Sequence, residues 1–259
     1  MKEALSSYLE FIAETAYQAG QITLGYFQRD IDVEIKDDET PVTAADRETE
    51  EFIRAKIKNQ FPGHAIFGEE YGLEEENWTS DHRWFIDPID GTKSFIYGVP
   101  LYAVLIGLEF EGSIAAGAVY FPGLNNLLVA ADGLGCWWNG RRAYVSKIEK
   151  LEQAVVAYTS IANLEKYGRI DAWQRLQKLT HFQAGWGDAY GYFLVATGKV
   201  EVMIDPIMNA WDCAPFPVIL KEAGGYFGDW KGNTTIYAKE SLATTNNLLD
   251  KVLAVVNGE

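Results

Sequence analysis

The segment WFIDPIDGTKSF (84–95) carries two aspartates and a threonine among large apolar side chains. Only two residues separate Asp87 from Asp90, and ionised carboxylates that converge repel each other unless positive charge offsets the repulsion. Clustered acids with apolar neighbours are either paired with a basic side chain or bound to a cation. Lys93 is the only base in the segment, so an ion pair and a bound cation both remain open at this point.

Further acids stand where strands or helices are expected to begin or end. Glu69 and Glu70 follow an apolar run and a glycine, and an acidic pair in a loop is most often solvated surface. Asp212 stands at the expected start of a helix, where a carboxylate can simply cap the N-terminus. Together with Asp87 and Asp90, these acids form an oxygen-only donor set in a chain with 3 histidines and 2 cysteines. Such a set suits Mg²⁺ rather than Zn²⁺.

The net charge of the chain bears on how it could bind phosphate. The 22 Lys and Arg against 37 Asp and Glu give a formal charge of -15, so the average field repels phosphate groups and anionic lipid. Nucleic acid and membrane are therefore not expected as partners. A small anionic substrate requires a local cation and donors, and Gly91 and Thr92 can offer backbone amides and a hydroxyl to a phosphate oxygen.

Hydrophobic periodicity predicts the elements that must position these residues. One helix is predicted from the apolar face Leu5, Leu9, Ile12, Ala16 and Ala19, and a second from the segment after Thr43, with Phe52, Ile53, Ala55, Ile57 and Phe61. Strands are predicted at 65–67, 84–87, 101–110, 114–121, 154–160 and 199–205, and further helices at 165–179 and 212–225, the last with a Gly224–Gly225 C-cap. The class is α/β with mixed helices and strands. The pattern changes near residue 150, which predicts an N-terminal half (1–150) with the acidic motifs and a C-terminal half (151–259) that closes the site, in one catalytic unit.

The cysteines and the N-terminus indicate the compartment. Cys136 and Cys213 offer neither a zinc spacing nor a disulfide framework, which favours a reducing compartment. Glu3, Glu10 and Glu14 interrupt the apolar residues of the N-terminus, so neither a signal peptide nor a membrane span is expected. The sequence predicts a cytoplasmic protein.

Four motifs, in this order, resemble the inositol monophosphatase superfamily of Mg²⁺-dependent, lithium-sensitive phosphatases. They are TPVTAAD (40–46), GEE (68–70), WFIDPIDGTKSF (84–95) and WDCAPFPVILKEAGG (211–225), and the resemblance covers nearly the whole chain. It implies a layered αβαβα sandwich, a homodimer and two or three Mg²⁺ ions per site. The metal ligands that it implies are Glu69, Asp87, the Ile89 carbonyl, Asp90 and Asp212. It also implies that Asp46 lies beside the metals and that Thr92 and Glu69 orient and activate the attacking water.

The form of several motifs is more similar to the histidinol-phosphate phosphatase branch than to the inositol branch. These are DPIDGTKSF, GDAYGY (187–192), GDWKG (228–232) and WDCAPF, where many inositol phosphatases have WDxAAG. The expected substrate contacts are Gly91, Thr92, Asp188, Asp205 and Asp212. Asp205 matches the acidic position of the family that contacts the substrate, and Asp188 lies near it, although Asp188 could equally be a helix cap. Two carboxylates there suit an amine-bearing substrate at least as well as a polyol.

The expected activity is Mg²⁺-dependent hydrolysis of a small phosphorylated alcohol, with histidinol phosphate, a precursor of histidine, as the substrate and inositol 1-phosphate as the alternative. Fructose bisphosphate and adenosine 3',5'-bisphosphate fit less well, because the chain is short and has no basic cluster for a second phosphate. A non-catalytic sugar-phosphate binding protein is a further alternative, against which the intact acids of the motifs argue. The histidines His64, His82 and His181 lie outside every motif and are interpreted as structural.

Overall fold

A computed structural model describes residues 2–30, 32–36, 41–74, 77 and 79–259. Its helices are α1 (Lys2–Tyr26), α2 (Ala44–Gln60), α3 (Thr92–Ile96), α4 (Ile161–Lys166), α5 (Ile170–Leu179), α6 (Asp188–Ala196), α7 (Ala210–Cys213), α8 (Phe216–Ala223) and α9 (Leu249–Asn257). Its strands are β1 (Val33–Ile35), β2 (Pro41–Thr43), β3 (Ala65–Gly68), β4 (Gly72–Leu73), β5 (His82–Asp90), β6 (Ala103–Phe110), β7 (Ser113–Phe121), β8 (Asn126–Ala131), β9 (Gly135–Trp138), β10 (Arg141–Arg142), β11 (Val155–Tyr158), β12 (Phe182–Ala184), β13 (Val202–Asp205), β14 (Gly225–Gly228) and β15 (Ser241–Thr245).

Most of these strands form two sheets. The larger is eight-stranded, in the order β10-β9-β8-β7-β6-β5-β3-β4, and the smaller is five-stranded, in the order β12-β11-β13-β15-β14. In the larger sheet β3 and β5 are parallel and the remaining pairs are antiparallel. Parallel neighbours end at the same edge of a sheet, so the ends of β3 and β5 bring Glu69 and Asp87 together.

Helices cover both faces of the larger sheet. On the outer face, Ile12 of α1 and Ile53 of α2 pack in one core with Trp84 and Ile106. On the inner face, Phe85 packs in a second core with residues of α6 and α8 that include Tyr192, Phe193, Phe216 and Ile219. The alternation of Trp84 and Phe85 between the two cores follows from the two-residue period of a strand.

The five-stranded sheet completes the layering. Its inner face contributes Ala157, Met203 and Ala243 to the core that it shares with α6 and α8. Its outer face packs on α4, α5 and α9. Val156 and Val202 of the strands lie in one core with Trp173 and Leu176 of α5 and Val252 of α9. The order of layers is therefore α, β, α, β, α, and the predicted α/β class and αβαβα sandwich are confirmed.

Two predicted helices are interrupted in the structure. The segment 165–179 is not one helix, because Gly168, with a φ of +71°, adopts a left-handed conformation between α4 and α5. The segment 212–225 contains the end of α7 and all of α8, with Pro215 at the boundary, because proline lacks the N–H that a continuous helix requires. The predicted C-cap is confirmed at Gly224, whereas Gly225 already begins β14.

No helix among the described residues combines the length and the hydrophobicity that crossing a bilayer requires.

Candidate active site

An irregularity in β5 places Asp87 and Asp90 side by side. In a regular strand, residues three apart point to opposite faces of the sheet. Here Asp87 pairs with Leu105 and Asp90 with Ala103, so β5 contains one residue more than β6 between these two pairs. This β-bulge turns the side chains of Asp87 and Asp90 to the same face of the sheet. Proline lacks the N–H that a ladder bond requires, so Pro88 favours the break in pairing at this place.

Three carboxylates meet at this edge of the sheet. One oxygen each of Asp87, Asp90 and Asp212 lies within 4.8 Å of the other two. Asp212 comes from α7, where its Oδ2 also accepts a hydrogen bond from the N–H of Asn209 at 2.8 Å. Burial, together with the charges of Glu69 and Asp90, raises the pKa of Asp87 well above its usual value. Burial likewise raises the pKa of Asp212 to about 7. These shifts mean that the cluster holds its full negative charge only at a cost in free energy.

Glu69 and Glu70 lie at the end of β3, beside the carboxylates of β5. The N–H of Glu69 donates to the carbonyl of Ile86 at 3.1 Å, which continues the pairing of β3 with β5 by one residue. Lys36, just after β1, contacts both acids, with its Nζ at 2.8 Å from Oε1 of Glu69 and 2.9 Å from Oε1 of Glu70. The acidic pair is therefore not a solvated surface pair.

Asp46 lies in the first turn of α2, with one carboxylate oxygen bound and the other free. Its Oδ2 accepts from the N–H of Thr43 at 2.8 Å and from the hydroxyl of Thr43 at 2.6 Å, as a capping box. Its Oδ1 is buried and has no hydrogen-bond partner among the described residues. Burial, with a contribution from the charge of Glu69, raises the pKa of Asp46 to about 6. Thr40, the first residue of the TPVTAAD motif, lies outside the described residues.

The residues after Asp90 turn sharply into α3. Gly91 has a φ of +78° and is the N-cap of α3, and the hydroxyl of Thr92 donates to the carbonyl of Ile89 at 3.1 Å. Ile89 has no pairing partner on β6, so its N–H donates instead to Oδ1 of Asp87 at 3.0 Å. The carbonyl of Ile89 and the hydroxyl of Thr92 thus lie together at the end of the strand.

Asp188 and Asp205 are joined to each other through Thr159. The Oγ1 of Thr159 accepts from the N–H of Asp188 at 3.0 Å and donates to Oδ2 of Asp205. Asp188 has a φ of +52°, which aspartate tolerates better than most residues. Its Oδ2 lies 3.3 Å from the place that a Cβ at Gly91 would occupy, so the glycine permits the approach. Burial raises the pKa of Asp205 to about 7.

The structure decides between the metal site and the simpler interpretations of the acids as ion-pair partners or helix caps. Among the described residues, no ion pair joins Lys93 to Asp87 or Asp90. Asp188 is not a helix cap, because Gly187 is the N-cap of α6 and receives no side-chain bond. Asp212 does complete a capping box with Asn209, and it belongs to the carboxylate cluster as well.

Sequence reasoning missed two kinds of residue around the site. No sequence pattern marks Thr159 as part of a site, because threonine is common at the end of a strand. A sequence pattern does mark Glu50 and Arg54. They fall on the same helical face as Ile53 and Ile57, so two charged residues interrupt an otherwise apolar face.

The donor set fits a divalent metal ion such as Mg²⁺. Its side-chain donors are carboxylate oxygens, with a backbone carbonyl beside them, and hard cations prefer oxygen ligands. The trio Asp87, Asp90 and Asp212 has no basic partner in the described part of the chain. Asp46, with its free Oδ1, lies near enough to Glu69 for the charge of Glu69 to contribute to its raised pKa. Burial and mutual repulsion both raise the pKa values of these carboxyl groups, and a cation between their oxygens would favour the ionised form against both effects.

Comparison with known proteins identifies the family. The sequence model of the inositol monophosphatase family matches residues 4–258. A histidinol-phosphatase of Chlorobaculum parvum is 42% identical over 254 residues, covering 97% of each chain. Among solved structures, an IMPase of Thermotoga maritima superposes with a TM-score of 0.87 at 30% identity, covering 97% of each chain. An IMPase/NADP phosphatase complexed with Mg²⁺ and phosphate superposes with a TM-score of 0.85, but at 19% identity this likeness shows the fold alone, over 99% of this chain and 97% of the other. The resemblance inferred from the motifs is thus confirmed, and the chain belongs to the inositol monophosphatase family.

Proposed function

We propose that this chain is a Mg²⁺-dependent phosphomonoesterase whose substrate is histidinol phosphate. The main support for metal-dependent hydrolysis is the trio Asp87, Asp90 and Asp212. One oxygen from each lies within 4.8 Å of the other two, and no basic side chain among the described residues pairs with them. The substrate is supported by the 42% identity to a histidinol-phosphatase over 97% of both chains.

The proposed metal ligands are Glu69, Asp87, the carbonyl of Ile89, Asp90 and Asp212, which would hold two or three Mg²⁺ ions. When bound, Mg²⁺ supplies positive charge to the phosphoryl oxygens and the leaving oxygen and acidifies a water. Asp46, in the first turn of α2, would lie beside this set, and its free Oδ1 would orient water there.

The side chains around the cluster would position the attacking water and the phosphate. The carboxylate of Glu69 and the hydroxyl of Thr92 come from two adjacent strand ends and would hold the water between them. Glu69 would accept its proton, since a carboxylate next to the reacting water can act as a general base. The backbone of Gly91 and Thr92 would contact a phosphate oxygen. Water would attack phosphorus directly as the ester P–O bond breaks, and the alcohol would leave with a proton from water, so no phosphoenzyme forms.

The carboxylates of Asp188 and Asp205 would contact the other end of the substrate, and the hydrogen bonds to Thr159 hold these two acids in place. Histidinol phosphate carries an ammonium group close to its phosphate ester. A charge-assisted hydrogen bond from that group to a carboxylate is about twice as strong as a bond between neutral partners.

A phosphate-release panel tests the proposal. Protein freed of metal by chelation is assayed with and without Mg²⁺ on histidinol phosphate, inositol 1-phosphate, fructose 1,6-bisphosphate and adenosine 3',5'-bisphosphate. We expect turnover only with Mg²⁺, the highest kcat/KM on histidinol phosphate, and inhibition by lithium. Full turnover by the metal-free protein would refute the metal dependence, and absence of turnover on every ester would favour a non-catalytic binding protein.

Inositol 1-phosphate is the second candidate substrate. The likeness to the IMPase of Thermotoga maritima favours it, because that structure superposes over 97% of this chain. Equal or reversed preference between histidinol phosphate and inositol 1-phosphate in the panel would select this alternative.

The remaining parts of the proposal concern assembly and location. We propose a homodimer in the cytoplasm that binds neither nucleic acid nor membrane. The formal charge of -15 supports the absence of polyanionic partners. Light scattering coupled to size-exclusion chromatography tests the dimer, for which a mass of one chain, 29.0 kDa, would be the contrary result.

A further inference from the structure

A buried ion pair lies beneath the loop that carries Glu69. Glu50 of α2 is fully buried, and its Oε1 accepts a hydrogen bond from Nε of Arg54, one helical turn further on, at 2.7 Å. Arg54 is only 9% exposed. The two charges share a helical face with Ile53 and Ile57, which pack in the core against the larger sheet.

This ion pair binds successive backbone groups of the loop after β3. Oε2 of Glu50 accepts from the N–H of Glu70 at 2.7 Å, and Oε1 accepts from the N–H of Tyr71 at 3.3 Å. A guanidinium nitrogen of Arg54 donates to the carbonyl of Gly72. Three consecutive residues, Glu70 and Tyr71 of the loop and Gly72 at the start of β4, are thus bound to one pair of side chains.

The same contacts leave Glu69 little freedom. Its own N–H donates to the carbonyl of Ile86 at 3.1 Å, and the residue after it is held by Glu50. On its other side, a Cβ at Gly68 would lie 2.0 Å from Oε1 of Glu50, so the loop approaches the buried carboxylate as closely as a glycine permits. The backbone of Glu69 is therefore fixed on both sides.

Stability alone gives little reason for this arrangement. Replacing a buried ion pair by apolar side chains of similar volume is commonly neutral or stabilising, because desolvation of the charges offsets their attraction. An apolar pair, however, could neither accept hydrogen bonds from two backbone N–H groups nor donate one to a backbone carbonyl, as Glu50 and Arg54 do here. Groups that orient metal ligands from behind commonly govern the affinity for the metal.

We propose that Glu50 and Arg54 are positioning residues that fix the direction of the Glu69 carboxylate toward Asp87, and that they thereby set the affinity of the site for Mg²⁺. This inference rests on the proposed function, in which Glu69 is a metal ligand. Neither residue of the pair touches the substrate or the reacting atoms in this scheme.

The chain offers a matched control in the eight-stranded sheet, at the end of β5 that lies away from Asp87. Glu109 of β6 is 3% exposed, its Oε2 lies 3.0 Å from Nε of Arg83 on β5, and its Oε1 accepts from the hydroxyl of Tyr237 at 3.0 Å. Arg83 precedes Asp87 by four residues, or roughly 13 Å along an extended strand. Glu109→Gln therefore disturbs a Glu–Arg pair with a buried carboxylate in the same sheet without touching the site.

The experiment compares Glu50→Gln, Arg54→Lys and Glu109→Gln with the unaltered full-length protein. Mg²⁺ binding is measured by titration calorimetry in the absence of substrate, alongside Tm, and kcat and KM are measured over a range of Mg²⁺ concentrations. We expect Glu50→Gln to weaken Mg²⁺ binding by about 10- to 100-fold. Arg54→Lys should weaken it less, because it keeps the charge and loses only the second donor. In both variants KM should change little and kcat should recover at high Mg²⁺, whereas Glu109→Gln should lower Tm without changing Mg²⁺ affinity.

The outcomes separate this inference from the proposed function. An unaltered protein that neither binds Mg²⁺ nor hydrolyses phosphate esters would overturn both. An active, Mg²⁺-binding protein in which Glu50→Gln lowers Tm as Glu109→Gln does, with unchanged Mg²⁺ affinity, would overturn the inference alone. Should Glu50→Gln fail to fold, Arg54→Lys decides, and unchanged Mg²⁺ affinity in that variant would likewise overturn the inference.

Discussion

The N–H of Ala189 donates a hydrogen bond to Oδ2 of Asp90 at 2.7 Å. Asp90 ends β5 in the eight-stranded sheet, and Ala189 lies in the first turn of α6, between the two sheets. The bond joins the carboxylate cluster to the turn that also presents Asp188. For this reason we propose that the halves 1–150 and 151–259 act as one catalytic unit.

Asp90→Asn should lower turnover by roughly 10²-fold or more, the usual cost of removing a well-placed catalytic group. The amide oxygen of asparagine can still accept from Ala189, so Tm should be nearly unchanged. Asp132→Asn is the control, because Asp132 is exposed and its carboxylate pairs with Lys221 at the surface. Near-normal kcat in Asp90→Asn would contradict the assigned role, and an unfolded variant would point to a structural one.

Thr92→Ala should reduce kcat by a similar factor, roughly 10²-fold. The hydroxyl of Thr92 donates to the carbonyl of Ile89 at 3.1 Å, so its direction is fixed at the start of α3. Thr92→Ser keeps the hydroxyl and should retain most of the activity. Steady-state kinetics of both variants at saturating Mg²⁺ measure the difference, and equal rates in the alanine and serine variants would show that the hydroxyl does not take part.

The stability of the metal-free protein should fall as pH rises from about 6 to 8. Burial raises the pKa of Asp205 and of Asp212 to about 7, from an ordinary value of 3.8. The folded chain therefore binds more protons than the unfolded chain in this range, and stability that is present at low pH is lost as these groups ionise. In the proposed function Mg²⁺ binds the ionised cluster, so the rise in Tm on adding Mg²⁺ should be larger at pH 8 than at pH 6.

Thermal unfolding across this pH range, with and without Mg²⁺, measures both effects. The scan stays above pH 6 because burial lowers the pKa of His64 to about 4, and the stability linked to that group is lost as pH falls from about 6.5 toward 4. A metal-free Tm that rises between pH 6 and 8 would show that the carboxylates are not protonated in the folded state.

Asp188→Asn and Asp205→Asn should reduce the preference for histidinol phosphate over inositol 1-phosphate. Loss of a charge-assisted hydrogen bond to the ammonium group corresponds to about 1.5 to 3 kcal/mol, or roughly 10- to 150-fold in relative kcat/KM. We expect the larger change in Asp188→Asn, because both oxygens of Asp205 already accept bonds, from Thr159 and from the N–H of Ile207 at 3.2 Å. An unaltered ratio in both variants would show that these acids do not select the substrate.

The sequence was a good guide where structure is local and periodic. The sequence predicted the apolar faces of α1 and α2 and the apolar runs that form β6 and β7. It did not predict the interruption at Gly168, because one left-handed residue leaves the helical pattern on either side intact. The acids that the structure brings together at the end of β5, Asp87, Asp90 and Asp212, could be named in advance because the motifs carry them. Their supports were not found, because Thr159 contacts a residue 46 positions away and Glu50 one 20 positions away, and no short-range pattern records such a contact.

The extra residue in β5 has a consequence for experiments that alter side chains. A strand shortened by one residue could still present two acids on one face, but its backbone would be fully paired with β6. The bulge instead leaves Ile89 without a partner, and this releases its carbonyl oxygen toward Thr92. An oxygen of the main chain is present whichever side chain stands there, so alanine scanning cannot detect its contribution. Replacing the peptide bond after Ile89 by an ester, which weakens that carbonyl as an acceptor, would make its contribution measurable.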